Sequence, residues 1–291
     1  MGLRTKLNLL LLIVALLGAG LFALISTPFL QALANDEVVQ NSQIMMESAA
    51  GARTYTSEQV APLLQGDIDT HFHPQAVSAY AAINSLAVLH ARFPNYSYRE
   101  VALNPTNLED RPADWEGDIV QYFRGHAGEH ELVRQRQSFN GPVLTLSRPI
   151  VAEDRCLACH DTPERAPASM IAAYGPQHGF GWHANEIVGA QIVSVPMSVA
   201  FKKADDIRLL FLGLFLSVFV VLTLLLNLGL GFVVIGPVMR LSRIAEDVSL
   251  GKADVPEYER KGSDQIAVLV ASFNRMRRSL QEAMRMLSER R

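Results

Sequence analysis

Two long stretches of uncharged sequence constrain this chain more than any other feature. Leu7 to Ile25 reads LNLLLLIVALLGAGLFALI, 19 residues without a charge. At 1.5 Å of rise per residue, a helix of this length just crosses a hydrocarbon layer about 30 Å thick. The second stretch, Leu209 to Met239, carries no charge across 31 residues. A buried core helix rarely needs so long an apolar run, so both stretches are expected to span a bilayer. A composition of 49% hydrophobic and only 19% charged residues agrees with that reading.

Orientation follows from the flanks. Arg4 and Lys6 precede the first run while Asp36 and Glu37 follow it, so the N-terminus is expected to stay in the cytoplasm and the chain after it to be exported. Ala32-Leu33-Ala34 resembles a processing site, which leaves a cleaved signal peptide as the alternative. The apolar run exceeds an ordinary signal core and ends well before that site, which favours an uncleaved anchor. Arg240 and Arg243 follow the second run and return the chain to the cytoplasm, although Lys202, Lys203 and Arg208 lie on its other side. The expected organisation is a cytoplasmic start (1–6), a first span (7–27), an exported domain (36–207), a second span (209–235) and a cytoplasmic segment (236–291). This makes a two-pass protein of a bacterial inner membrane, with its middle domain in the periplasm. The exported part holds 21 acidic and 12 basic residues, a net charge of −9, whereas the segment from Arg240 to Arg291 has 11 basic and 8 acidic, a net +3. The whole chain, at −3, has no basic footprint for nucleic acid.

The exported part contains both cysteines of the chain, in Cys156-Leu157-Ala158-Cys159-His160. This C-x-x-C-H order is the attachment signature of haem c: two thiols can add to the two vinyl groups of one porphyrin, and the next histidine then lies under the iron as proximal ligand. A structural zinc site would want four N or S ligands, and the chain has no second thiol pair. A thioredoxin-like redox pair would open a helix within a βαβ pattern, whereas here the motif follows the extended stretch Val143 to Ile150 and precedes Asp161-Thr162-Pro163. One covalently attached haem per chain is therefore expected, with Cys156 and Cys159 holding the porphyrin and His160 the iron.

The distal side of the iron is open in this reading. Met45 and Met46 on a predicted long helix, His71 and His73 before Pro74, Met170, and His178 in a glycine-rich turn are the candidates, with Met46 and His73 put forward by name. Each has a plain alternative, since methionine on an apolar helical face fills cores and histidine in a polar turn is solvated. An empty or water-bound position is the remaining choice.

The exported segment reads as α+β. Helices are predicted from Asp36 to Leu64, continuing the first span and broken near Pro62, from Ala76 to Ala91 and from Ala113 to Gly125. Strands are predicted at Ser138 to Ile150 and Ile187 to Val195. The loops Asn104-Pro105-Thr106-Asn107 and Tyr174 to Trp182 are read as able to bring a ligand or distal residue to the iron. His126 and His130 at i, i+4 spacing are read as exposed.

Several blocks occur in order here: Tyr55-Thr56 through Pro62-Leu63-Leu64, Pro74-Gln75 with Tyr80-Ala81-Ala82, Tyr96-Ser97-Tyr98-Arg99-Glu100, Ala102 to Asn107, Asp114-Trp115-Glu116, Cys156 to His160, and Gly179-Phe180-Gly181-Trp182 with Gly189 to Pro196. Over roughly Glu47 to Met197 the chain resembles the exported c-type haem domain of PAS-like fold, long catalogued as a domain of unknown function. The resemblance implies a five-stranded PAS-like sheet with flanking helices, and haem held by Cys156, Cys159 and His160. Some relatives supply a cysteine as distal ligand, and this chain has no third cysteine.

After Gly236-Pro237, Val238, Leu241, Ala245 and Val248 alternate spacings of three and four, the rhythm of a coiled-coil helix. Beyond a polar connector from Lys252 to Gly262, the rhythm returns at Ile266, Leu269, Phe273, Met276, Leu280, Ala283 and Leu287. Such stripes call for each other and for a second copy, so a parallel homodimer is expected. The arrangement resembles the HAMP relay module, with Phe273-Asn274-Arg275-Met276 like its second-helix signature and Asp264-Gln265-Ile266 departing from its Asp-Glu pair. A coiled coil that only dimerises is the alternative. The sequence to Arg291 contains no kinase, cyclase or methyl-accepting pattern, so any output is expected to pass to a separate cytoplasmic partner.

Together these features predict a haem c sensor, responding to a redox partner or a diatomic gas and signalling across the membrane. A membrane-tethered cytochrome for electron transfer is the runner-up. No dedicated catalytic set accompanies the motif, so an enzyme is not expected.

Overall fold

A computed structural model describes residues 2–139, 141–252 and 255–289. The parts of the predicted segments that fall on Met1, Asn140, Ala253, Asp254, Arg290 and Arg291, and the side chain of Leu287, lie outside the described residues. The chain divides into two compact units, residues 24–209 and residues 1–23 with 210–291.

The first helix, α1 (Leu3–Tyr55), runs through Pro28 and on past Asp36 without a break. It then widens into a π turn (Thr56–Val60) and ends as Ala61–Leu64. The break predicted near Pro62 is thus a wide turn just ahead of it, a common response to a residue that cannot donate an N–H and crowds the preceding turn. Helix α2 is Ser78–Arg92 and α3 is Asp114–Gly125, close to their predicted bounds.

Four strands form the sheet among the described residues: β1 (Ser97–Ala102), β2 (Leu132–Ser138), β3 (Gly141–Val151) and β4 (Ile187–Pro196), in the order β1-β4-β3-β2 and antiparallel throughout. This corrects the five strands implied by resemblance. It also splits the predicted Ser138–Ile150 strand, whose first residue belongs to the other arm of a hairpin pairing Ser138 with Gly141. Edge strands β1 and β2 carry charges at neighbouring or alternate positions (Arg99 and Glu100; Arg134 and Arg136), which protects an edge and weakens the hydrophobic signal that reveals a strand. Between β3 and β4 lie two short helices, α4 (Asp154–His160) and α5 (Ala168–Tyr174).

The sheet has two dissimilar faces. On one, Tyr98, Leu144, Leu146, Val193 and Val195 meet Val38, Met46 and Ala49 of α1 and Ala82 of α2. The first turns of the next long helix, α6 (Met197–Leu230), add Met197, Ala200 and Ala204 to this core. The α1 contribution falls at Ala34, Val38, Ser42, Met45, Met46 and Ala49, a helical stripe. Polar clamps hold α1 in register: Arg148 of β3 pairs with Glu47 at 2.8 Å, and Arg53 in the last turn of α1 pairs with buried Glu100. On the other face, Val101, Ala190 and Ile192 pack under Ile119, Val120 and Phe123 of α3.

Two helices are long and apolar enough to cross a membrane: residues 3–64, with mean hydropathy 2.8 over an 18-residue stretch, and 197–249, with 3.0 over a stretch of the same length. Within the second unit, Asn227 donates to Asn8 at 2.7 Å and Gly18 lies close beneath the Phe215 ring, as small and polar residues do where apolar helices touch. Helix α6 widens at Gly231–Ile235, again just ahead of a proline, and continues as α7 (Gly236–Ser249). Helix α8 (Gln265–Glu289) opens on Asp264, whose carboxylate caps the Ala267 N–H at 2.7 Å. That bond and Arg260 hold the Asp264 carboxyl below its ordinary range. The buried side of α8 is Ala267, Val270, Asn274 and Arg277, one position on from the predicted stripe. The connector accounts for this: its carbonyls at Val255, Pro256 and Tyr258 accept from Arg277 and Asn274. Leu269, Met276 and Leu280 remain exposed on the predicted stripe.

Candidate functional site

The C-x-x-C-H residues sit on α4, a short helix that leaves β3 through Ala152. Ala152 is anchored by backbone bonds to Asn185 and Glu186 at 2.8 Å each. Cys156, Cys159 and His160 stand at i, i+3 and i+4, so helical geometry gathers both thiols and the imidazole on one face. The cysteines are free and half-buried. Burial pushes the Cys159 thiol up, and Cys156 beside it adds to the rise. A redox-active cysteine of thioredoxin type works through a lowered thiol pKa, so this environment suits a thiol held for attachment better than an exchanging one.

His160 is fixed from three sides. Its Nδ1 lies 2.7 Å from the Gly179 carbonyl oxygen and 3.4 Å from Thr106 Oγ1. The Trp182 indole stacks on its ring with centroids 4.0 Å apart and planes 13° apart. The carbonyl can only accept, so Nδ1 carries the proton and Nε2 keeps its lone pair. Burial lowers the imidazole pKa while the Gly179 carbonyl opposes it, which favours the neutral ring a metal requires. This is the second-shell bond that orients a ligating histidine in metal sites.

The loop that supplies these contacts is locked by backbone bonds from Gly181 N to Asp161 O at 2.8 Å and from Trp182 N to His160 O at 3.2 Å. Gly179 has φ of +82°, and a Cβ there would collide with the Thr106 side chain and come within 2.9 Å of its Cα. Only glycine fits. The sequence marked this loop and the Asn104–Asn107 turn as able to bring a ligand or a distal residue to an iron. The structure brings both to Nδ1 of His160. Thr106, Gly179 and Trp182 are therefore site residues that sequence reasoning missed as individuals, although both blocks were visible.

Met46 is fully buried in the core between α1 and the sheet. Its neighbour Met45 is 7% exposed and Met170 of α5 is 4% exposed. His73 caps a short turn at Pro74–Ala76 and lies 3.3 Å from Asp67, while His71 approaches the same carboxylate at 3.8 Å. That segment docks on α5 through the Ile68 carbonyl, which accepts from Ser169, and through Phe72, edge-on to Tyr174. His178 approaches Asn104 at 3.4 Å. Neither Met46 nor His73 is among the hydrogen-bond or ring partners of His160. His126 stacks on Tyr122 past the end of α3, and His130 is exposed before β2, so the two do not share a helical face. Among the described residues no group of three or more His, Cys, Asp and Glu side chains converges as a metal site.

An open cavity of about 500 Å³ lies against α4 at Asp154, Leu157, Ala158 and Asp161. These positions form the side of the helix opposite the thiols, so this cavity and the cofactor-type residues occupy different faces of α4. On the thiol side, Arg53 of α1 is within electrostatic reach of Cys156.

Fold and site define a class: an antiparallel-sheet domain carried on long apolar helices, with paired thiols and an oriented imidazole on one short helix. The chain belongs to the Tll0287-like family, whose model matches residues 31–196. The crystal structure of the cyanobacterial haem protein Tll0287 is similar at 18% identity, with a TM-score of 0.45, covering 55% of this chain and 95% of that one. No curated protein matches this chain.

Proposed function

We propose that this protein is a membrane-bound haem c sensor. Cys156 and Cys159 would hold one haem through thioether links, and His160 would ligate its iron through Nε2. The periplasmic domain would pass a redox or diatomic-gas signal through a HAMP-like homodimeric relay to a separate cytoplasmic partner. The observation that carries this reading is the bond from His160 Nδ1 to the Gly179 carbonyl, which commits one ring nitrogen and frees the other on the face that holds both thiols. Membership of the Tll0287-like family supports it, since Tll0287 is a haem protein.

When bound, the haem would supply a one-electron couple and a place for a small ligand on its iron. The chain's own residues do the rest. Gly179 and Trp182 fix the imidazole plane, and the glycine turn at 179 keeps that carbonyl in place. Arg53 links the neighbourhood of Cys156 to buried Glu100, and it belongs to a helix that continues unbroken to the first apolar span. The continuity of α1 from Arg53 to the apolar run is the route by which a change at the site would reach the membrane. A strong response needs the two site states to favour two helix packings by a difference of a few kcal/mol. The basic flanks Arg4 and Lys6 support cytoplasmic termini.

The test is mass spectrometry of the intact chain made alongside a haem c maturation apparatus, with absorption spectra oxidised, reduced and under CO. Added tetrapyrrole mass in the wild type, lost in Cys156→Ala/Cys159→Ala, is expected; its absence from the wild type sinks the reading. Gly179→Ala should retain the mass and shift the reduced spectrum, because His160 loses its orienting carbonyl. Met46→Ala and His73→Ala ask whether either residue is the distal ligand. A haem that ignores CO and exchanges electrons rapidly would instead favour a membrane-tethered cytochrome.

A further inference from the structure

The sheet face beneath α3 holds a second cavity, of about 260 Å³, at a distance in sequence from α4 and made from different elements. Strand register explains its lining. Ser97 pairs with Ser194, and Arg99 with Ile192, so these four point to the same face, with Arg136 reaching in from β2 and Trp115 and Glu116 from the first turn of α3. Two of the three charged groups are already engaged. Glu116, only 2% exposed, meets Arg99 at 3.4 Å with one oxygen and accepts the Ala113 N–H at 2.8 Å with the other. Arg99 also donates to the carbonyls of Glu109 and Arg111.

Arg136 is different. Its guanidinium lies 4.0 Å over the Trp115 ring, and it makes no hydrogen bond or ion pair among the described residues; its Nε is buried without a partner. Ser194, 7% exposed, also lines the cavity, and its hydroxyl has no hydrogen-bond partner among the described residues. A buried donor left unpaired costs stability, so the Arg136 Nε calls for a partner that the described residues do not supply.

We propose that this cavity binds a small monocarboxylate. The lining charges, two arginines and one glutamate, leave a net of one positive, which a monoanion neutralises. A planar guanidinium held over an indole presents its donors in the fork that matches a carboxylate. The Ser97 and Ser194 hydroxyls complete the oxygen contacts, and Ile192 with Trp115 forms an apolar wall for a short carbon chain. The volume falls below the range of about 300–1,000 Å³ typical of drug-sized ligands, which limits the occupant to a few heavy atoms. The site shares no residue with the thiol and imidazole site, so it stands or falls apart from the haem reading.

Isothermal titration of the full chain in detergent micelles tests it, using acetate, propionate and pyruvate as probes, with acetamide and chloride as controls. Saturable binding of at least one carboxylate is expected, with neither acetamide nor chloride binding comparably. Arg136→Met should weaken it by about tenfold or more, Arg136→Lys less, and Ser194→Ala by a smaller factor. Thermal melts establish that each variant is folded. The proposal is overturned if folded wild-type protein binds none of the three carboxylates, if chloride or acetamide binds equally well, or if Arg136→Met binds as the wild type does.

Discussion

On β3, Leu144 and Leu146 enter the face covered by α1 and α2, while Thr145 and Ser147, alternating with them, enter the face beneath α3. All four are 1% exposed or less. The first face is filled with aliphatic side chains, and its polar groups are paired: Tyr98 donates to Glu100 at 2.7 Å and Gln191 donates to Tyr98 at 3.1 Å. The second face leaves the Ser147 hydroxyl buried and unpartnered, and opens into a polar cavity a strand away. One side of the sheet is therefore organised to hold helices firmly, and the other to leave donors available. Burial alone does not distinguish them; satisfaction of the polar atoms does.

The sharpest way to break this contrast is to cut into each face at adjacent residues. Leu146→Ala should lose about 2–5 kcal/mol, because tightly packed surroundings close only partly over the cavity it leaves; urea unfolding of the full chain measures it. Tyr98→Phe comes next. Burial and the Glu100 carboxylate hold the Tyr98 phenol far above its ordinary pKa, so it remains a donor, and its removal should cost about 1.5–3 kcal/mol in the same assay. Ser147→Ala, one residue from Leu146, should fall within about 0.5 kcal/mol of wild type or stabilise slightly, since it deletes a hydroxyl that has no partner. A loss above that range would show that Ser147 is paired in solution and would erase the contrast.

The smallest effect is pH-dependent. Asp110, beside Arg99 at the margin of the α3 face, is pushed up to about 6 from an ordinary 3.8, first by burial and then by Glu100 and Glu109, against the pull of Arg99. A raised folded-state pKa means that the proton is held more tightly in the fold. The stabilisation is full below the unfolded value and is lost as pH rises through the folded one. Asp110→Asn should therefore flatten the decline in urea midpoint between about pH 4 and pH 6 and leave the variant relatively more stable at neutral pH. An unchanged slope across that window would remove Asp110 as its cause.

The two long apolar helices and the thiol-imidazole stripe were legible because each is written in a short contiguous run: an absence of charge in one case, fixed helical offsets in the other. The helices α2 and α3 were legible for the same local reason. Strands β1 and β2 were not, since edge positions at Arg99, Glu100, Arg134 and Arg136 carry charge where alternation would show apolar residues. Gly179 and Thr106 were hidden as a pair because their relation is steric and crosses 73 residues of chain. On α8 the buried stripe escaped because Asn274 and Arg277 are covered by backbone carbonyls rather than by hydrophobic neighbours. A heptad pattern has no symbol for that kind of contact.

Each long helix widens once, at Thr56–Val60 and at Gly231–Ile235, with a proline two residues on. A π turn contains one residue more than an α turn, so side chains before and after it are about 100° out of phase with a continuous α-helix. The second of these lies where an apolar run gives way to the amphipathic α7. Migration or loss of that single extra residue would spin the stripe of α7 about its own axis. Rotation by insertion is thus available to this helix at the cost of rearranging one turn.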